Sequence, residues 1–105
     1  MTISEQTYIS NLTHFLDEKG NIPDVIPKKH RQFAYFLAMI VDNLTHSTLD
    51  HTQPPPDLIR CHARGCKGVI HSTLDLDDDS IVWECDQCGD YGRISGWQKT
   101  KWDNL

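Results

Sequence analysis

The 105 residues carry ten Lys/Arg against fifteen Asp/Glu, a formal charge of −5, with 38% hydrophobic and 9% aromatic content. A chain this short makes one small domain, or a helical part packed on a second part, and it buries little apolar surface unaided. The acidic balance holds in both parts, four Lys/Arg against seven Asp/Glu in residues 1–57 and six against eight in 58–105, which excludes a strongly basic nucleic-acid module. Residues 1–10 lack the basic start and apolar run of a signal peptide, and the longest apolar stretch, 33–41, is too short to span a bilayer. The expectation is therefore a cytoplasmic protein with no membrane association.

From the N-terminus, Tyr8, Leu12 and Leu16 lie four apart, with Ile9 and Phe15 widening the same face, and this period predicts an amphipathic helix over residues 2–19. Thr2 with Glu5 fits a capping box, and Gly20-Asn21 offers the left-handed residue that ends a helix. Pro23 and Pro27 then bracket an extended link, and Pro27 suits the first turn of a second helix, predicted over 28–48. Its apolar face comprises Phe33, Phe36, Leu37, Ile40, Val41 and Leu44, and Tyr35, Ala38 and Met39 carry the stripe nearly round the cylinder. Such a helix is the most buried element of a small core, or else it leaves one side for a homodimer contact through residues 28–48. Gln53 to Pro56 then reads as a stiff spacer. The predicted organisation is a helical segment 1–52, a proline-rich linker 53–57 and a cysteine-containing domain 58–105.

Four cysteines in two close pairs, Cys61/Cys66 and Cys85/Cys88, are the main chemical signal. Thiolates spaced in this way can surround one tetrahedral ion, and in a reducing cytosol they are metal ligands rather than disulfides. Between the pairs, Val69, Ile70, Leu74 and Leu76 read as a strand, Asp77 to Ser80 as a polar turn and Ile81-Val82-Trp83 as the return. Gly89 takes the positive φ that closes the second knuckle, and a third strand carries Tyr91, Arg93 and Ile94 towards Trp97. The predicted fold is α+β, an N-terminal helical hairpin packed on a C-terminal three-stranded antiparallel zinc ribbon. One zinc per chain is expected on Cys61, Cys66, Cys85 and Cys88, and iron in a rubredoxin-like site would use the same thiolates. His62 beside a ligand and His71 on the following strand are candidate substitutes or supporting groups, although four cysteines already complete a tetrahedron.

Sharper chemistries find less support. Cys85-x-x-Cys88 as a redox pair needs its first cysteine at a helix N-terminus, and glycines on both sides of the following residues interrupt any helix there. Asp75, Asp77 and Asp79 resemble the start of a calcium loop, but Ser80 stands where glycine is required. No zinc-protease helix, phosphate loop or nucleophile elbow occurs.

Gly92, Ile94, Gly96, Trp97, Thr100, Trp102 and Asp103, following Cys88-Gly89, together with Phe15-Leu16-Asp17 and Gly20 to Pro23, form a string over most of the chain. It resembles a family of small uncharacterised bacterial proteins that join an N-terminal helical segment to a C-terminal four-cysteine zinc ribbon. The resemblance implies a zinc ribbon and no established activity, so only the metal role of the four cysteines carries over.

Arg93, Trp97, Lys99, Lys101 and Trp102 are the candidate partner surface, a local basic and aromatic patch able to hold an acidic partner or stack bases. The leading expectation is a non-enzymatic zinc-binding adaptor for a protein partner. Its rivals are a direct but weak nucleic-acid binder using that patch, and a small metalloenzyme or thiol redox protein.

Overall fold

A computed structural model gives the structure of the chain and describes residues 7–49, 59–63 and 65–105. A strand β1 (Thr7–Asn11) runs into a single 3-10 turn (Leu12–Phe15), and one long helix α1 (Lys28–Leu49) follows. Three further strands follow among the described residues: β2 (Ile70–Asp75), β3 (Ser80–Cys85) and β4 (Tyr91–Ser95). They form one four-stranded sheet in the order β1-β4-β3-β2, in which β2/β3 and β3/β4 are antiparallel and β1/β4 is parallel.

This corrects the expected fold. Among the described residues there is one α-helix where a helical hairpin was expected, and a four-stranded mixed sheet where a three-stranded antiparallel ribbon was expected. The residues from Tyr8 to Leu16 keep their apolar spacing but form a strand and one 3-10 turn instead of an α-helix. Tyr8 turns into the core, while Ile9 points outward at 74% exposure, the alternation of a strand and not of a helix face. The free edge of β4 supplies the reason: pairing Thr7 with Tyr91 through Asn11 with Ser95 gives β1 partners for its backbone that no local pattern announces. Asn11 then ends the strand, its side-chain oxygen accepting from the Thr13 N–H at 3.0 Å. The left-handed residue expected at Gly20 is present, with φ 78°, but it closes a loop built on Asp17, whose carboxylate accepts from the N–H groups of Lys19 and Asn21 at 2.9 and 3.0 Å. The Thr2/Glu5 capping box and the 53–57 linker lie outside the described residues.

The long helix begins after Pro27, whose carbonyl accepts from the Arg31 N–H at 2.9 Å, and it closely follows the expected span. Ala34, Leu37, Ala38, Ile40 and Val41 are buried, whereas Tyr35 and Met39 remain about half exposed. The buried stripe meets Ile70, Ile81, Trp83 and Ile94 from the inner face of the sheet, and Cys61, Cys85, Leu12 and Trp97 belong to the same core. Each fully buried aliphatic side chain contributes about 1.5–3 kcal/mol, so helix, sheet and cysteine knuckles share one stabilising cluster. A second, smaller cluster of Ile22, Ala34 and Ala38 meets the first at Phe15 and Trp102.

The C-terminal tail is strapped to the helix. Buried Thr45 donates to the Val41 carbonyl at 2.8 Å and the Trp102 carbonyl at 3.2 Å, and accepts from the Asn104 N–H at 3.1 Å. Asn104 also donates to the carbonyl and carboxylate of Asp42, each at 3.0 Å. Among the described residues no helix is long and apolar enough to cross a membrane.

Candidate metal centre

Two turns of backbone bring the four cysteines together at one end of the sheet. In the first, the Cys66 N–H donates to the Ala63 carbonyl at 3.0 Å, and Gly65 takes φ 78°, so the wider spacing of this pair is absorbed by an extra turn. In the second, Gly89 takes φ 79° just past Cys88. Each knuckle is closed in the same manner. The N–H of its first cysteine donates to the carbonyl two residues beyond its second, Cys61 to Gly68 at 3.0 Å and Cys85 to Asp90 at 2.8 Å. The two knuckles are also tied to each other, since the Asp86 N–H donates to the Val69 carbonyl at 3.2 Å and the Asp86 carboxylate accepts from the Val69 N–H at 3.0 Å.

Every sulfur of the set lies within 4.8 Å of the others. Cys61 Sγ stands 3.8 Å from Cys88 Sγ, and Cys66 Sγ 3.6 Å from Cys85 Sγ. Four sulfurs held about 2.3 Å from one tetrahedral ion would stand roughly 3.8 Å apart, so this donor set fits a single metal ion. Cys61 and Cys85 are buried while Cys66 and Cys88 are partly exposed, which gives an ion an approach from one side. Backbone N–H groups point at the sulfurs from Ala63, Gly68 and Gln87, each at 3.4 Å. Donors of this kind stabilise thiolate charge and orient the lone pairs.

The thiols are electrostatically unequal. Burial pushes the Cys61 thiol well above its ordinary value, against the opposing Ala63 N–H. Cys85 is also desolvated, but the N–H groups of Cys88 and Gln87 outweigh that cost and bring it down to about 7. At Cys88 the Asp90 backbone hydrogen bond is the largest influence and lowers the thiol, but desolvation with the Cys85 and Cys66 thiols together leave it raised. Four such groups this close repel one another when ionised, and a divalent cation is what removes the repulsion.

Gly68 shows how tightly the site is built. A Cβ there would collide with Cys85 Sγ and stand 2.9 Å from the Gln87 Cβ. Gly68→Ala is therefore expected to displace one ligand sulfur and weaken metal binding by at least tenfold, read in a competition titration against a chromophoric chelator.

The two histidines part company. His71 lies on β2, largely exposed, with Nε2 3.3 Å from the Asp86 carboxylate, and it joins no ligand cluster among the described residues. His62 is enclosed. Its ring centroid sits 5.0 Å from Tyr8, 5.2 Å from Phe33, 4.9 Å from Phe36 and 5.8 Å from Trp83, and its Nε2 is 3.7 Å from the buried Asp90 carboxylate. Burial lowers its pKa, with Asp90 opposing. The Cys61-His62-Asp90 cluster is a feature that sequence reasoning missed at Asp90, whose place depends on the closure of the second knuckle.

The expected partner surface divides. Arg93 lies on the outer face of β4, where it donates to Asp75 at 2.9 Å, Asp78 at 3.3 Å and Ser80 at 3.0 Å. Its guanidinium and nearby N–H groups hold the Asp75 carboxyl below the usual range, while Asp78 is lowered mainly by Ser80. Trp97 is only 4% exposed, with its indole N–H on the Asp79 carbonyl at 2.8 Å. Lys101 bonds to Asn21 and lies 5.7 Å over the Trp102 ring, and Trp102 is itself partly buried against both core clusters. Lys99 and Lys101 line a groove of about 500 Å³ with Thr13, Leu16, Lys19 and Gln98, on which Asp17 and Glu18 also sit. Lys99 and Lys101 are thus brought together, whereas Arg93 and Trp97 are engaged elsewhere.

Comparison with protein-family models, curated proteins and solved structures gave no significant match to this chain, so the resemblance drawn from residues 15–23 and 85–103 gains no support from that side.

Proposed function

We propose that the protein is a non-enzymatic zinc-binding adaptor, in which one ion on Cys61, Cys66, Cys85 and Cys88 holds the two knuckles in place so that the rest of the surface can engage a protein partner. The observation that carries the metal reading is the set of four sulfurs at mutual separations suited to one tetrahedral ion. Zinc is favoured over iron because a closed four-thiolate site with backbone N–H donors needs no redox role to account for it. All four positions of the tetrahedron are filled by protein, which leaves none for a substrate, and this supports a structural centre over a catalytic one.

The protein partner is supported by what the sheet leaves uncovered. Ile9 at 74% and Tyr91 at 46% exposure stand on the face turned away from α1, alongside Arg93 in its ion pairs. The engagement of Arg93 by two carboxylates and the burial of Trp97 subtract from the nucleic-acid alternative, as does the overall charge of −5.

The test is elemental analysis of protein purified without added metal, followed by capture of partners from cell extract with and without chelator. One zinc per chain and a metal-dependent partner are expected. Iron in place of zinc would change the ion and leave the site, whereas no metal with oxidised cysteines would overturn the reading.

Metal binding should also depend on pH with a definite sign. The ion displaces protons from thiols whose metal-free pKa values lie at or above neutrality, at about 7 for Cys85 and higher for Cys61 and Cys88. Affinity is therefore fully developed at high pH and lost as pH falls. Protons should therefore be released as the ion binds at pH 7, measurable in weakly buffered indicator solution.

A further inference from the structure

His62 and Asp90 stand one and two positions beyond a cysteine of each knuckle, His62 after Cys61 and Asp90 after Cys88. Their side chains meet across the gap, with His62 Nε2 3.7 Å from Asp90 Oδ2, beside the Cys61 and Cys88 sulfurs that stand 3.8 Å apart. Asp90 is only 1% exposed. Its carbonyl accepts the Cys85 N–H at 2.8 Å, and its own backbone bonds to Cys88, so one residue holds both ligands of the second knuckle. His62 is held from the other side by rings from three elements, Tyr8 on β1, Phe33 and Phe36 on α1, and Trp83 on β3.

Packing alone does not account for this imidazole. A phenyl ring would fill the same aromatic box at a lower desolvation cost. His62 Nε2 is buried and has no hydrogen-bond partner among the described residues, since 3.7 Å to Asp90 is too long for one. What the nitrogen adds is a polar face turned to a buried carboxylate on the opposite knuckle.

We infer that His62 and Asp90 are positioning residues of the metal centre, a latch that joins the two knuckles and slows release of the ion. The inference rests on the reading that the four cysteines hold one zinc. Release proceeds as thiolates let go in turn, and the partly exposed Cys88 is a natural first point of escape. When the Cys88 end of the second knuckle swings away from Cys61, Asp90 separates from His62 and its carbonyl is drawn off the Cys85 N–H. While the aromatic box grips His62, that opening is opposed.

The test uses the full zinc-loaded chain and the rate of zinc transfer to 4-(2-pyridylazo)resorcinol, for wild type, Asp90→Asn, His62→Phe and the double variant. Each single change is expected to speed transfer about 10- to 100-fold, the usual consequence of removing a group that supports a metal ligand. The double variant should be no faster than the faster single one, because the two act as a unit. The zinc-loaded melting temperature of His62→Phe should stay at or above wild type, since the ring still fills the box. Transfer within twofold of wild type in both single variants would overturn the latch and leave the zinc reading standing. Rates that rise only in proportion to a fall in melting temperature would reduce the pair to ordinary packing and overturn it as well. Wild type that binds two ions, the second lost in the variants, would make Cys61, His62 and Asp90 ligands of their own site and replace the latch. Wild type without any metal would remove the zinc reading itself.

Discussion

Cys88→Ser is expected to abolish stoichiometric metal binding and, with it, the cooperative unfolding of the whole chain. Cys88 is partly exposed, so exchanging its sulfur for a hydroxyl removes little packing, and the loss reports on the metal. A structural zinc site contributes on the order of 10 kcal/mol of apparent binding energy at neutral pH, comparable with the entire net stability of a small domain, about 5–15 kcal/mol. The damage should not stop at the knuckles. Cys61 and Cys85 lie in the same buried cluster as Leu37, Ile40 and Val41 of α1 and Trp83 and Ile94 of the sheet, so the helix loses part of its cover when they separate. Cobalt titration should fall from one equivalent to none, the near-ultraviolet dichroism of the tryptophans should collapse, and part of the helical signal should go with it. A variant that still takes one equivalent at wild-type affinity would sink the four-cysteine site, and unaltered melting of the wild type in excess chelator would show that the metal does not hold the fold.

Trp83→Ala should produce the largest loss of any core substitution outside the cysteines, about 3–5 kcal/mol by chemical denaturation of the zinc-loaded protein. The indole is fully buried between Tyr8 at 5.9 Å and Phe36 at 5.2 Å, and it also walls the box around His62. Removing it opens a cavity at the point where β1, α1 and the central strands meet. Trp83→Phe separates two contributions. Its indole N–H is buried with no hydrogen-bond partner among the described residues, a group that ordinarily costs about 1–3 kcal/mol, so the smaller ring loses contact area while removing that penalty. The expected net change is within about 1.5 kcal/mol of wild type. A Phe variant as damaged as the Ala variant would mean that the N–H is satisfied in solution.

The convergence of the four cysteines was legible in the sequence because its evidence is local. Two thiol pairs at close spacing, with glycine past the second, specify a pair of turns whatever surrounds them, and Cys61, Cys66, Cys85 and Cys88 do converge. The helix from Lys28 was legible for the same reason, as a long run of apolar residues at helical period behind a proline. The hairpin of β2 and β3 also stood out, its polar turn at Asp77 to Asp79 lying between two apolar runs.

The tertiary structure alone decided the fate of residues 7–15 and of the aromatic tail. Tyr8, Ile9 and Leu12 satisfy a helical period and a strand alternation about equally over so short a stretch, and the choice fell to the unpaired edge of β4, some eighty residues away in the chain. A parallel edge pairing leaves no turn between its partners, so no local residue pattern records it. Trp97 and Arg93 look alike in sequence to any exposed basic and aromatic pair. Only the folded chain sends the Trp97 indole to the Asp79 carbonyl and closes Arg93 on Asp75 and Asp78, because those partners come from a hairpin turn eighteen or fewer residues before them. Asp90 is the sharpest case: nothing about an aspartate two residues past a cysteine marks it as buried, and it becomes so only when the second knuckle closes against the histidine of the first.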